Sequence, residues 1–410
     1  MDVIMVTVGT DGDVLPYVGL GAKLRARGHR VRLAAAAPYQ GLAEAHGLEL
    51  HALISKDEND ELFNNPDFWN PLKAGPVAAR WGMRFIRRQY ELLLKLASPN
   101  AVLVANPGVF AAAMVHERFG TPLASLVLQP GLIPSSIAPP VMPGFLFLRR
   151  APRPVWKLFW RGLDVVGHGL AGRKLNRVRA SLGLKPLRRM FQNWLSTQLA
   201  LGMFPDWYGP AQVDWPPQIR LCGFPAFDGR SSESLPPALD EFCRAGGPPV
   251  TFTFGTGMRH SARLFRAALD ACDLLGARGI FLTRHADQLP PGLPASIFHS
   301  EFARFETLFP RCAAVVHHGG IGTTARAMAA GVPQLVCPIC FDQFDNGVRV
   351  AGLGAGEWLK PRHVDGPRIA AALARLKTPV ARARCEKIAS RFVNHDALEM
   401  AATWVEKLEK

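Results

Sequence analysis

The sequence predicts an α/β protein with two parallel-sheet domains, and three observations predict it. Short apolar runs alternate with segments of helical periodicity, the pattern of a parallel sheet covered by helices on both faces. The pattern stops in a Pro- and Gly-rich stretch between Gly223 and Pro249 and then restarts. At 410 residues, the chain is too long for one ordinary core.

The elements follow in order. Val3–Val8 reads as a strand, Leu15–Arg27 as a helix closed by Gly28, Arg30–Ala35 as a second strand and Tyr39–His46 as a helix. Phe63–Pro76, with its Asn and Pro residues, reads as a loop, and Ala78–Leu96 as one long helix. Strands Val102–Ala105 and Ala124–Leu128 flank a helix over Val109–Phe119. The apolar, Pro-rich segment Gln129–Pro154 is long enough to be functional and reads as a lid over a binding site. Leu199–Met203 and Ile219–Cys222 resume the strands. Past the boundary come strand Val250–Phe254, the turn Gly255-Thr256-Gly257, helix Ala262–Leu275 and strand Gly279–Leu282. A strand ending at His317 then breaks into a glycine loop, followed by a helix over Ala325–Ala330 and a strand over Val332–Pro338. Asp396–Leu408 reads as a final helix, which divides the chain into 1–228, 229–385 and 386–410.

Hydrophobic content of 48% with 20% charged residues marks a globular chain. No signal-peptide pattern opens it, and no apolar run reaches the roughly 18 residues needed to span a bilayer. A cytoplasmic protein is expected, with any membrane contact peripheral at the inner face. Seven cysteines without framework spacing fit a reducing compartment, and Cys337-Pro338-Ile339-Cys340 reads as structural. The net charge of +15 concentrates in the block from Arg149 to Arg189, where Asp164 is the only acid. With Phe145, Phe147, Trp156, Phe159 and Trp160 interleaved, the block fits either an amphipathic face at an anionic membrane or a solvated face with its aromatics turned inward. Nucleic acid is not expected as a partner.

Three loops carry the chemistry. His318-Gly319-Gly320-Ile321-Gly322-Thr323, between a strand and a helix, forms an anion cradle: backbone N–H groups and the helix dipole face a phosphate. It has neither the P-loop lysine nor the dinucleotide glycine spacing. His318, Gly320, Gly322 and Thr323 are its candidate donors, and Thr256 and Gly257 can add theirs. No carboxylate or histidine cluster has metal spacing, so no metal is expected. Asp13 sits at a strand's carboxyl end, where it is either a proton acceptor or the N-cap of the next helix. Asp342 and Gln343 offer acceptor oxygens and an amide suited to sugar hydroxyls, or else form an Asx turn.

Thr7-Val8-Gly9-Thr10-Asp11-Gly12-Asp13-Val14-Leu15-Pro16, the histidine–glycine loop and Phe341-Asp342-Gln343-Phe344-Asp345-Asn346 together resemble family-1 glycosyltransferases of the GT-B fold. The resemblance implies two Rossmann-like domains facing a cleft, a C-terminal helix crossing back to the first, and inversion at the sugar. It implies that Asp13 is the base, that the glycine loop holds the donor diphosphate, and that Asp342 and Gln343 face the donor sugar. It also implies that Phe302 stacks on the donor base, with Ala303 binding the base edge, although Arg304-Phe305 stands where many members carry Pro-Gln. The runs Asp214–Pro217, Cys222–Gly229 and Gly276–Thr283 are similar to the rhamnosyltransferases of bacterial rhamnolipid synthesis. That subgroup implies transfer of L-rhamnose from dTDP-L-rhamnose to a 3-(3-hydroxyalkanoyloxy)alkanoate, with no cofactor beyond the nucleotide sugar. Two alternatives stand beside it: a UDP-glucose-dependent enzyme acting on a lipid, sterol, terpenoid or polyketide hydroxyl, and a nucleotide-sugar-binding subunit inactive without a partner protein.

Overall fold

A computed structural model describes residues 1–229, 234–393 and 395–408; part of the interdomain linker, 230–233, lies outside the described residues. The strands of the first half are β1 (Asp2–Val6), β2 (Arg30–Ala36), β3 (Glu49–Ile54), β4 (Ala101–Ala105), β5 (Leu123–Val127), β6 (Leu199–Gly202) and β7 (Ile219–Leu221). They form one parallel sheet in the order β3-β2-β1-β4-β5-β6-β7. The second half supplies β8 (Val250–Thr253), β9 (Gly279–Leu282), β10 (Ile297–Ser300), β11 (Ala314–His317), β12 (Gln334–Val336) and β13 (Gly356–Trp358). These also pair parallel, in the order β10-β9-β8-β11-β12-β13. Central strands such as β4, β8 and β11 are buried on both faces, as two covering helix layers require.

Strand order positions the site. β1 lies between β2 and β4, and β8 between β9 and β11, so each sheet reverses its direction of winding there. At such a point the connections diverge and leave a crevice at the carboxyl ends of the strands. The loops after β1, β8 and β11 open there.

The C-terminal helix Ala397–Glu406 returns to the first domain. Ala397, Leu398, Ala401, Ala402 and Val405 share a core with Val14, Val18 and Leu24 of the helix Asp11–Ala26. At Gly19 a Cβ would come within 2.9 Å of Leu398 and 2.8 Å of the Phe227 ring, so the close approach requires glycine. Lys23 pairs with Asp396 at 2.8 Å and Arg27 with Glu406 at 2.6 Å. Such partly exposed pairs are worth at most about 1 kcal/mol each, so the apolar stripe holds the helix. The chain crosses between domains twice, and the crossings touch: the Phe224 and Phe392 rings stack at 5.9 Å, and Gly223 lies against His395.

The structure corrects several expected elements. The long helix is two, Ala74–Arg84 and Ile86–Leu96, broken at Phe85, whose buried ring meets Trp81 at 4.9 Å. The expected loop Phe63–Pro76 holds the end of helix Lys56–Asn64 and the turn Pro66–Trp69. Ser55 and Glu58 form a capping box at that helix start, a signal present in the sequence. Strands β3, β10 and β13 were not expected.

Candidate active site

Asp13 lies in the first turn of Asp11–Ala26; Thr10 is the N-cap, and Asp13, third residue of the helix, is the reciprocal half of the capping box rather than the N-cap itself. Its Oδ2 accepts the Thr10 N–H at 2.9 Å and the Thr10 hydroxyl at 3.3 Å, and its carbonyl accepts the Thr7 hydroxyl at 3.1 Å. The carboxylate folds back over Gly9, where φ is +133° and a Cβ would overlap it. Burial pushes its pKa up to about 6, against the lowering effect of the Thr10 hydrogen bonds. Asp13 therefore fastens the helix start through Oδ2, the oxygen that takes both Thr10 hydrogen bonds. Asp11, beside it, accepts the Tyr39 hydroxyl at 3.1 Å and reaches Arg284 of the second domain at 3.4 Å.

The helix after β11 begins at Ile321, earlier than expected, with Gly320 as N-cap. Gly322 and Thr323 thus sit in the first turn, whose backbone N–H groups have no partner within the helix. The turn depends on Gly319, at φ +95°, and on His317 behind it. His317 is fully buried; its Nδ1 accepts the Gly319 N–H at 3.1 Å and its Nε2 meets Gln334 Oε1 at 3.0 Å. Burial pushes its pKa down to about 3, so it stays neutral and rigid. His318 lies between two glycines, and a Cβ would stand 2.6 Å from Nε2 at Gly320 and 3.1 Å at Gly255. Burial lowers its pKa to about 4, opposed by a hydrogen bond with the Thr253 backbone. His318 is therefore neutral at pH 7, not a cation, and its Nδ1 has no partner among the described residues.

The remaining residues divide. The exposed Thr256 and the half-buried Gly257 form the turn after β8, and Gly257 packs so closely on Thr10 that a Cβ would lie 2.7 Å from its methyl. That contact brings the β8 turn to the residue that holds Asp13. Asp342 precedes the helix Gln343–Gly352; its Oδ2 accepts from Asn346 at 2.7 Å. Its pKa is raised to about 7, first by burial and second by the charge of Asp13, so the two carboxylates sense each other across the cleft. Gln343 departs from expectation. It is buried, and its Oε1 accepts the Ile339 and Cys340 N–H groups at 2.7 and 3.0 Å, which turns the amide into its own loop and away from a sugar. Phe302 follows β10, its carbonyl accepting the Ser300 hydroxyl at 2.7 Å, and Ala303 is buried in the core beneath.

Sequence reasoning missed Asn346. Its amide donates to the Gly319 carbonyl at 2.8 Å as well as to Asp342, and its Oδ1 accepts the Tyr208 hydroxyl from the first domain at 2.8 Å. The four-residue spacing from Asp342 was the available signal. Cys337 and Cys340 are buried free thiols.

The expected lid is stitched down at several points. Ser135 and Ser136 bind Asp214, the Trp160 and Trp194 indoles donate to the Ser135 and Leu132 carbonyls at 2.9 and 3.0 Å, and the Val141 N–H reaches Asp345 of the other domain at 2.9 Å. The helix Arg153–Gly167 then buries Trp156 and Trp160 but turns Val155, Leu158, Val165 and Val166 outward. Leu158 is 70%, Val165 73% and the neighbouring Phe147 77% exposed. Arg149, Arg150, Arg153, Lys157 and Arg161 are exposed beside them. The apolar surface is therefore mainly aliphatic, and the tryptophans belong to the core. No described helix is long and apolar enough to cross a membrane.

Comparison with known proteins defines the class. The glycosyltransferase family 28 N-terminal domain matches residues 3–131, and the erythromycin biosynthesis protein CIII-like C-terminal domain matches 279–403. The O-mycaminosyltylonolide 6-deoxyallosyltransferase of Streptomyces fradiae is 31% identical, over 86% of this chain and 84% of its own. The vancomycin aglycone glucosyltransferase of Amycolatopsis orientalis is 30% identical, over 98% and 96%. The solved structure of glycosyltransferase VinC in complex with dTDP superposes with a TM-score of 0.70 at 19% identity, over 100% of this chain and 99% of that one. The chain belongs to the GT-B glycosyltransferases, enzymes that use a nucleotide sugar as donor.

Proposed function

We propose that this glycosyltransferase inverts the anomeric centre, moving L-rhamnose from dTDP-L-rhamnose to the hydroxyl of a 3-(3-hydroxyalkanoyloxy)alkanoate. One observation carries the mechanism: a carboxylate raised by burial faces, across one cleft, a loop of unpaired N–H donors and a neutral imidazole. Asp13 takes the acceptor proton on Oδ1 as the hydroxyl oxygen attacks the anomeric carbon. The bond to the diphosphate breaks on the opposite face, which inverts configuration. The departing charge is met by the first N–H groups of the helix at Ile321, fixed donors that need no reorganisation, and by His318 in the tautomer whose proton sits on the nitrogen facing the phosphate. Asp342 accepts from the sugar hydroxyls, and Phe302 stacks on the donor base while Ala303 binds its edge.

The dTDP bound by VinC supports the thymidine nucleotide. The lipid acceptor is supported by the apolar strap from Leu128 to Phe147 and by the exposed aliphatic and cationic face that follows it. That face suits peripheral contact with an anionic membrane, where salt should weaken binding. The second reading, a UDP-glucose-dependent transfer to a polyketide or sterol hydroxyl, is favoured by the antibiotic-modifying relatives.

Mass analysis of products from purified protein, given dTDP-rhamnose or UDP-glucose and hydroxyacyl lipids of increasing chain length, tests both. Acceptor affinity should rise with length, by about 0.8 kcal/mol per buried CH₂. A flat response, or preference for a water-soluble acceptor, removes the lipid reading. Product from UDP-glucose alone replaces the donor.

A further inference from the structure

Phe341 is the only non-glycine residue among the described residues with a left-handed backbone, at φ +52°. A bulky side chain is disfavoured in that region, and such strain persists only where the surroundings hold it. What holds it here belongs to the other domain. The Phe341 ring lies 5.2 Å from that of Phe68 and packs on a cluster built from Leu62, Phe63, Phe68 and Trp69.

The same segment receives the other donor-side loop. A Cβ at Gly257 would stand 3.5 Å from Trp69, and Arg259 donates to Asn64 at 3.0 Å and to Asp60 at 2.7 Å. Residues 56–69 thus form a pad on which the loops after β8 and β12 both land when the cleft is shut. Directly after Phe341 comes Asp342, whose carboxylate faces Asp13 electrostatically. By contrast, the glycine loop is held by its own domain, through His317, Gln334 and the Asn346 amide.

We propose that Phe341 is a positioning residue that converts closure of the cleft into placement of the Asp342 carboxylate on the donor sugar. The proposal rests on the reading that Asp342 meets that sugar. With the pad engaged, the ring contact offsets the strained backbone and fixes the residue that follows. Without the pad, the strained backbone at 341 loses the ring contact that offsets it and is held only by its own loop, through Gln343 on Cys340 and Asn346 on Asp342, and Asp342 shifts as it relaxes. The diphosphate cradle stays in place in either state.

The test compares Phe341→Ala, Phe68→Ala, the double variant and Asp342→Asn. Readouts are the KM for the nucleotide sugar, kcat, the Kd for free dTDP and thermal stability. Either alanine should raise the donor KM about fivefold, the scale of one aromatic pair, while the Kd for dTDP stays unchanged. The double variant should be no worse than either single one, because both remove the same contact. Phe341→Gly, which relieves the backbone but loses the ring, should keep the high KM and recover stability relative to Phe341→Ala. The proposal is overturned if the alanines lower only stability, or if the Kd for dTDP rises in step with the KM. An unchanged donor KM in Asp342→Asn would instead refute the sugar-contact reading. An altered KM in Asp342→Asn with wild-type behaviour in Phe341→Ala would refute the latch alone.

Discussion

The loops after β1 and β11 open on one crevice from two sheets of like winding, yet they treat charge in opposite ways. After β1 the chain sets a carboxylate in a helix's first turn, where the dipole and the Thr10 hydrogen bonds favour ionisation. Burial outweighs them and leaves the group near pH 6. After β11 there is no formal charge at pH 7, only free N–H groups and a histidine that burial keeps neutral. Desolvation thus disfavours the charged form in both loops, with different results. It leaves a carboxyl that titrates near 6 and an imidazole that stays neutral at pH 7, which on the proposed mechanism suit proton acceptance and hydrogen bonding to the leaving group. A switch point supplies only a crevice; the residue at the turn decides whether it accepts a proton or receives an anion.

The largest test of this contrast removes the charge from one side. Asp13→Asn should cut turnover by about 10²–10⁴-fold while dTDP binding persists. It should also raise thermal stability, because a carboxyl forced above its ordinary pKa destabilises the fold at neutral pH. Loss of less than tenfold would leave Asp13 only its place at the helix start. On the other side, His318→Ala should weaken dTDP binding and slow transfer together, by about 10² in turnover, since one donor to the leaving group is lost. A change in KM alone would mean the imidazole binds the ground state and nothing more.

The third test is pH. Asp13 must be ionised to act, so kcat/KM should fall about tenfold per unit as pH drops below about 6. The stability contribution has the other sense. The unfolded chain loses this proton first, near 3.8, so the group's stabilisation is present below that value and is lost as pH rises through about 6. A limb that persists in Asp13→Asn would assign the titration to another group, with Asp342, raised to about 7, the first to examine.

Legibility followed burial. β1, β4, β8 and β11 are apolar runs between two helix layers, so their sequences announce them. β3, β10 and β13 are half-exposed sheet edges, and stretches such as Glu49–Ile54 mix Glu and His with Leu and lose the pattern; the edge strand β7 was legible all the same. The turn into the helix at Ile321 was legible because glycine has few other reasons to cluster between strand and helix. The inward turn of Gln343, the grip of Asn346 on Gly319, and the Phe341–Phe68 contact were not. Each depends on where a residue far along the chain, or a folded loop, comes to rest. Local spacing records neither.

The paired crossings between domains have a mechanical consequence. Two bodies joined by a single thread can rotate about three axes. Here Phe224 of one crossing lies flat on Phe392 of the other, and the second continues into a helix clasped by the first domain. Two anchored crossings side by side constrain twisting and sliding more than one thread could, so opening and shutting is the motion they oppose least. Cutting the chain before Ala397 would leave every residue of the site in place and remove the guide that makes them meet.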